Sequence, residues 1–218
     1  MVKRKLSEGK LQAEKIRIEG LYTYERDLNN QGYELVAGTD EAGRGPIAGP
    51  VVAAAVILPT GLYIEGLNDS KKISPKKRER LYDEIIGNCV SYGIKVIDND
   101  EIDRINILQS SYLAMKMSID EMEISPDYVL VDGWENKMIK IPQTNLIKGD
   151  SKSASIAAAS ILAKVYRDRL MEEYDLIYPD YGFAAHKGYP TKRHIQALEE
   201  FGVLKIHRKT FTPVTRLL

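Results

Sequence analysis

Residues 39–59 read TDEAGRGPIAGPVVAAAVILP. From Val51 to Leu58 every position is apolar, and Pro50 and Pro59 bound the run. An apolar run without polar alternation predicts a strand buried on both faces. Upstream, Tyr33 to Asp40 (YELVAGTD) is also strand-like, and GRGPIAGP between the two is turn material. The two runs therefore read as a hairpin-like pair, with Asp40 and Glu41 at the end of its first strand. Acids in that place either cap a strand end or hold something positive. Successive strand residues face opposite ways, so both acids serve one site only where the strand ends or bulges. The adjoining Ala-Gly-Arg-Gly suits such a break.

The rest of the chain extends this into a mixed α/β sheet. Val90 to Ile97, Asp127 to Asp132 and Thr144 to Ile147 read as three further strands. Ser74-Pro75 opens a helix to about Gly87, with serine as cap and proline at the first helical position. One long amphipathic helix is expected from about Asp100 to Met122, with Ile105, Leu108, Tyr112, Met115 and Ile119 on one stripe. Ser151 to about Tyr174 and Thr191 to Phe201 are also helical in pattern. Residues 1–30 read as a charged helical extension outside the main fold, leaving 31–218 as one domain. At 218 residues with 44% hydrophobic and 28% charged content, the chain is an ordinary globular protein with a real core.

Several classes are excluded early. The single Cys89 cannot form an internal disulfide, and it is expected to be a small core residue in a reducing compartment. No apolar stretch reaches the roughly 18 to 20 residues of a membrane span, and the polar start MVKRKLSEGK has no signal-peptide core. A cytoplasmic location is expected. The formal net charge is zero, but the charge is unevenly spread. Lys71 to Arg80 carries six basic residues against one acid, and Tyr181 to Leu218 carries seven against two, with all three histidines. Local field rather than net charge attracts a polyanion, so a nucleic-acid partner fits. Solvated helix faces fit either stretch as well.

Asp40, Asp132 and Asp150 each fall at or just past the carboxyl end of an expected strand, where open α/β sheets gather functional groups. Each has a plainer reading: Asp150 as a helix cap, Asp132 before Gly133 as a turn opener, Asp40 and Glu41 as a polar strand end. Together these weaken. Two carboxylates ~4 Å apart repel by about 4 kcal/mol at an effective dielectric near 20. Three or four in one cleft need protons or cations. Hard divalent ions accept all-oxygen ligand sets, and Mg²⁺ keeps waters that phosphates can replace, which points to phosphoryl chemistry. Gly43-Arg44-Gly45 suits such a substrate, because glycine lets backbone groups approach a sugar-phosphate closely.

The motifs GTDEAGRGPIAGPVVAAAVIL, NDSKK (Asn68 to Lys72), EIDRINIL (Glu101 to Leu108), YVLVDG, KGDSKSASIAAASILAKVYRD and YGFAAHKGYPT occur in an order that closely resembles the ribonuclease HII family. They span roughly Tyr33 to Phe211. The resemblance implies a ribonuclease H-like fold, a five-stranded mixed sheet flanked by helices with a helical and irregular C-terminal region. It implies that Asp40, Glu41, Asp132 and Asp150 are catalytic carboxylates holding two Mg²⁺ or Mn²⁺ ions. The implied activity is cleavage of RNA in RNA–DNA hybrids and incision at ribonucleotides embedded in duplex DNA, leaving 3′-hydroxyl and 5′-phosphate ends. Gly43, Arg44 and Gly45 would contact the ribose 2′-hydroxyl, and Tyr189 would pack on the sugar at an RNA-to-DNA junction. Asn68, Ser70 and Lys71 would contact phosphate.

Lys164 and Arg167 are read as phosphate contacts or surface residues. The three histidines are possible phosphate contacts, with no metal or acid–base role. A monomer is expected, and no sliding-clamp motif is evident. One rival is another two-metal nuclease of the same superfamily, which the Gly-Arg-Gly and KGYPT blocks disfavour. A dinucleotide-binding oxidoreductase would need the loose GxGxxA at Gly43 to Ala48 to open a helix. Pro46, Pro50 and a second β-like run follow instead.

Overall fold

A computed structural model describes residues 8–218. Five strands form one sheet in the order β3-β2-β1-β4-β5. They are β1 (Val36–Ala42), β2 (Val51–Ile57), β3 (Ser91–Ile97), β4 (Tyr128–Asp132) and β5 (Gln143–Leu146). β1–β2 and β2–β3 pair antiparallel, while β1–β4 and β4–β5 pair parallel. The expected mixed sheet is therefore present, with each expected strand in place.

β2 is buried along its whole length, as its unbroken apolar run requires. Ala54 and Val56 pack with Ala157, Ala158, Ile161 and Leu162 of a long helix, α6 (Ala154–Ile177). Val51, Ala53, Ala55 and Ile57 face the other way, onto Ala114, Met115 and Ile119 of α5 (Ile107–Asp120). Small residues set how closely α6 approaches. A Cβ on Gly38 of β1 would lie 2.2 Å from the Ile156 backbone nitrogen, so only glycine fits beneath the helix.

The remaining helices are α1 (Glu8–Leu21), α2 (Thr23–Asn30), α3 (Pro75–Asn88), α4 (Asn99–Ile105), α7 (Phe183–His186) and α8 (Lys192–Phe201). Two expectations and one plainer reading need revising. The long helix over 100–122 is two helices, because Asn106 takes a positive φ of 68° and its side chain accepts the Leu108 and Gln109 N–H groups. The hydrophobic stripe ran across a capping residue that resets the axis. Residues 8–30 are helical but do not stand off the fold: Ile18, Leu21 and Tyr22 are buried in the α6-side core. Glu25 is buried too, and its Oε1 accepts the Ser153 hydroxyl at 2.6 Å and the Ser155 N–H at 3.0 Å. Residues 1–7 of the expected extension lie outside the described residues. Finally, Asp150 does not cap α6; Ser153 does, accepting the Ile156 N–H.

Among the described residues no helix is long and apolar enough to cross a membrane. Cys89 is half-buried and free, packing on the edge of the α6-side core.

Candidate active site

The sheet register brings the acids together. β1 and β4 pair in parallel up to Thr39 opposite Val131. One residue further on, Asp40 stands level with Asp132, and adjacent strands lie about 4.8 Å apart. No bulge occurs at Asp40 and Glu41, contrary to one of the two routes expected. The ladder to β2 continues through Ala42 opposite Val52, and the strand simply ends at Ala42. On the β4 side the pairing has already stopped, at Thr39 opposite Val131.

Asp150 arrives from a single 3-10 turn, Gly149–Ser151, between β5 and α6. Lys148 enters it with a left-handed φ of 56°, and the Lys152 and Ser153 N–H groups both donate to the Gly149 carbonyl at 2.8 Å. The Gly149 N–H donates to Asp132 Oδ1 at 2.6 Å, which ties this turn to the end of β4. Asp40 and Asp150 are both buried.

The acids act on one another electrostatically. Burial, then the charges of Glu41 and Asp132, push the Asp40 carboxyl well above its ordinary range, against the Glu41 N–H and the Ser160 hydroxyl. The Glu41 carboxyl is raised by burial, opposed by Arg44, and raised further by Asp132. Asp150 is pushed up to about 6 by burial, then by Asp69 and Asp132, with Lys71 pulling the other way. Burial works against the Lys71 ammonium, yet Asp40, Asp150, Asp69 and Asp132 together hold it above its usual value. Lys71 is thus the cation that all of these acids feel. Among the described residues, no three acidic, imidazole or thiol groups close in as a finished ligand set would. The four acids share one field rather than one preformed cage.

Asp69 is a fifth acid at this place and was missed by sequence reasoning. Its position inside NDSKK was visible, but its influence on Asp150 depends on a fold that brings residues 69 and 150 together. Its side chain also accepts the Lys71 N–H, capping the short turn Ser70–Lys72. Asn68 Oδ1 is engaged by the Asp69 N–H at 2.9 Å. The Ser70 hydroxyl points inward, bonded to Ser160 at 2.8 Å, and its buried side chain supports the site from behind. Arg78 holds this loop by donating to the Ser70 and Ile73 carbonyls, and its other nitrogen pairs with Asp168 at 3.5 Å. Lys164 is also committed to Asp168, at 2.6 Å.

The Gly43–Gly45 turn follows β1 directly. Arg44 is exposed and reaches back to Glu41 Oε1 at 3.3 Å. Gly43 has φ +101°, and a Cβ there would lie 2.1 Å from Arg167 Nε. Tyr189 is exposed and its ring flanks the turn: a Cβ on Gly45 would sit 3.4 Å from Tyr189 Cε1.

One arginine overturns its sequence reading, and a second was not anticipated. Arg167 is neither a phosphate contact nor a surface residue; it is buried, donating to the Pro50, Lys187 and Ala48 carbonyls. Arg208, not singled out from sequence, is buried beneath the same turn. The histidines are likewise buried and bonded inside the C-terminal region rather than offered to phosphate.

A family model described as ribonuclease HII matches residues 37–214. A ribonuclease HII from Ruminiclostridium cellulolyticum is 54% identical over 195 residues, covering 89% of this chain and 76% of the relative. One from Caldicellulosiruptor saccharolyticus is 52% identical over 193 residues, covering 88% and 94%. The crystal structure of the ribonuclease H2 from Pyrococcus horikoshii superposes with a TM-score of 0.71 at 28% identity, covering 84% of this chain and 97% of the other. With the matched segment running from β1 through all five strands to the C-terminal turns, this chain belongs to the ribonuclease HII family.

Proposed function

We propose that this chain is an endonuclease that hydrolyses the RNA strand of RNA–DNA hybrids and incises at ribonucleotides embedded in duplex DNA, leaving 3′-hydroxyl and 5′-phosphate ends. The observation that carries the reading is the placement of Asp40 and Glu41 at the end of β1 and Asp132 at the end of β4, with the Asp150 turn tied to Asp132 through the Gly149 N–H. The donor set is all oxygen and its acids are uncomfortable with one another, which fits hard divalent cations, Mg²⁺ or Mn²⁺, as a pair. When bound, such ions activate a water for in-line attack and offset charge on the phosphoryl and leaving oxygens.

The chain's own residues do the rest. Asp40, Glu41, Asp132 and Asp150 would hold the ions. Lys71, already among the acids, balances part of their charge and offers a cation to a phosphate oxygen. Asn68 and the inward Ser70 keep that loop in place. The Gly43–Gly45 turn presents backbone donors to the ribose 2′-hydroxyl, the group that separates RNA from DNA. Tyr189 supplies an exposed aromatic face beside it, suited to packing on a sugar or base. In this reading residues 31–218 form the catalytic unit, acting as a monomer in the cytoplasm, with residues 8–30 packed on its flank.

The test is a duplex with a single embedded ribonucleotide, incubated with and without Mg²⁺ or Mn²⁺. Cleavage at the ribonucleotide only with the ion is expected. Folded protein that leaves this duplex intact with either ion would refute the reading.

A further inference from the structure

The loop from Gly43 to Pro50 is held chiefly through its carbonyls, with the Ile47 and Gly49 N–H groups donating to the Gly188 and Ile206 carbonyls. Arg208 donates from Nε to the Gly49 carbonyl at 3.0 Å and from Nη1 to the Arg44 and Pro46 carbonyls at 3.0 and 2.8 Å. Its Nη2 reaches the Gly43 carbonyl at 2.6 Å, and its backbone N–H donates to the Ile47 carbonyl at 2.9 Å. Arg167 takes the Ala48 and Pro50 carbonyls. With the carbonyls of Gly43 and Arg44 drawn inward, the peptide units of the turn are orientated by a planar fork with fixed donor directions.

The residue before Arg208 controls the other substrate-reading element. The Leu204 N–H donates to His207 Nδ1 at 2.9 Å, a shorter contact than the 3.3 Å from that nitrogen to the Leu204 carbonyl, which assigns the His207 proton to Nε2. His207 Nε2 lies 3.0 Å from His194 Nε2, which must therefore accept. That places the His194 proton on Nδ1, 2.9 Å from the Tyr189 carbonyl. The relay works only with neutral rings, and burial lowers both imidazoles to about 4. His186 completes the arrangement: it stacks on His194 with centroids 4.4 Å apart, and its Nδ1 accepts the Gly188 N–H. The two elements also touch directly, since the Ile47 N–H donates to the Gly188 carbonyl at 2.9 Å.

Building on the proposed nuclease function, we propose that His207 and Arg208 form one positioning element that sets the Gly43–Gly45 turn and Tyr189 against each other and thereby governs selectivity for a ribonucleotide at a junction. Neither residue touches the substrate. Adjacent in sequence, they point to opposite tasks: Arg208 under the turn that reads the ribose, and His207 through His194 to the backbone of Tyr189. Preorganised donors work only when a supporting layer holds them, and a misplacement of about 1 Å costs roughly 10²-fold in rate.

The experiment compares kcat/KM, with Mg²⁺, on a duplex carrying one ribonucleotide and on a hybrid with an all-RNA strand. The proteins are the full-length wild type, His207→Phe, Tyr189→Ala and the double variant. His207→Phe is expected to change the ratio of the two kcat/KM values about 10-fold or more relative to wild type, and Tyr189→Ala to add little on top of it. His207→Gln, whose amide can both accept from Leu204 and donate to His194, is expected to restore part of the ratio. Equal losses on both substrates, or effects of His207→Phe and Tyr189→Ala that multiply, would overturn the inference. Should His207→Phe not fold, Arg208→Lys takes its place, keeping the charge but not the fork, with the same non-additivity expected. A wild type that cuts neither duplex refutes the nuclease reading itself, whereas a cutting wild type with additive variants refutes only this inference.

Discussion

Asp132 Oδ1 accepts the Gly149 N–H at 2.6 Å, so a single hydrogen bond joins the end of β4 to the turn that carries Asp150. Gly149 has no room for a side chain. A Cβ would lie 2.6 Å from Ile156 Cδ1 and 3.2 Å from Asp132 Oδ1. Gly149→Ala is therefore expected to displace one carboxylate from the other. Steady-state kinetics should show a loss of roughly 10²-fold in kcat, with stability in urea reduced by about 1–3 kcal/mol.

Asp132→Asn separates charge from geometry. The amide oxygen can still accept from Gly149, so the turn stays in place while one negative charge is lost. Cleavage should fall by roughly 10³-fold or more, on the scale of losing a preorganised electrostatic group. Affinity for an RNA–DNA hybrid, measured by fluorescence anisotropy, should be retained or improved, because one repulsion of the phosphates has gone.

Asp150 gives a pH prediction. Its carboxyl is raised from 3.8 to about 6, so the folded protein holds that proton more tightly than the unfolded chain. Its contribution to stability is complete below the unfolded value and is lost as pH rises through about 6. In protein stripped of divalent ions, Asp150→Asn should raise Tm at pH 8 and leave it nearly unchanged at pH 4. Adding Mg²⁺ or Mn²⁺ should raise the wild-type Tm at pH 8 more than that of the variant. A Tm difference that does not change with pH would contradict the assigned environment.

Arg167 predicts a stability effect of a different kind. Its guanidinium lies under the Gly43–Pro50 loop, and burial lowers its pKa to about 10, so it remains charged at neutral pH. Arg167→Met would leave the Pro50, Ala48 and Lys187 carbonyls without these donors. Each orphaned buried acceptor costs about 1–3 kcal/mol, so a loss of about 3 kcal/mol or more is expected in chemical denaturation.

What the sequence made legible follows from the range over which each interaction acts. The sheet could be read because β2 is apolar on both faces and because acids stood at the ends of expected strands. Asp40 beside Asp132 rests on the strand order, with β4 next to β1, which the sequence did not give away. The break at Asn106 was hidden because a continuous apolar stripe carries no sign of a capping side chain in its middle. Arg167 and Arg208 were hidden for another reason. Their partners are backbone carbonyls, including the Gly43 carbonyl 165 positions before Arg208, and carbonyls leave no mark in a sequence. The burial of His186, His194 and His207 was hidden likewise, since a basic and histidine-bearing tail looks the same whether it faces phosphate or packs inward.

The central claim is that Asp40, Glu41, Asp132 and Asp150 together hold paired divalent cations. Crystals of the protein with Mn²⁺ and an uncleavable RNA–DNA hybrid would test it through anomalous scattering. The account predicts two Mn²⁺ peaks between these four carboxylates and the scissile phosphate, both absent in Asp132→Asn or reduced to one. Mn²⁺ peaks elsewhere, with none among these side chains, would contradict it.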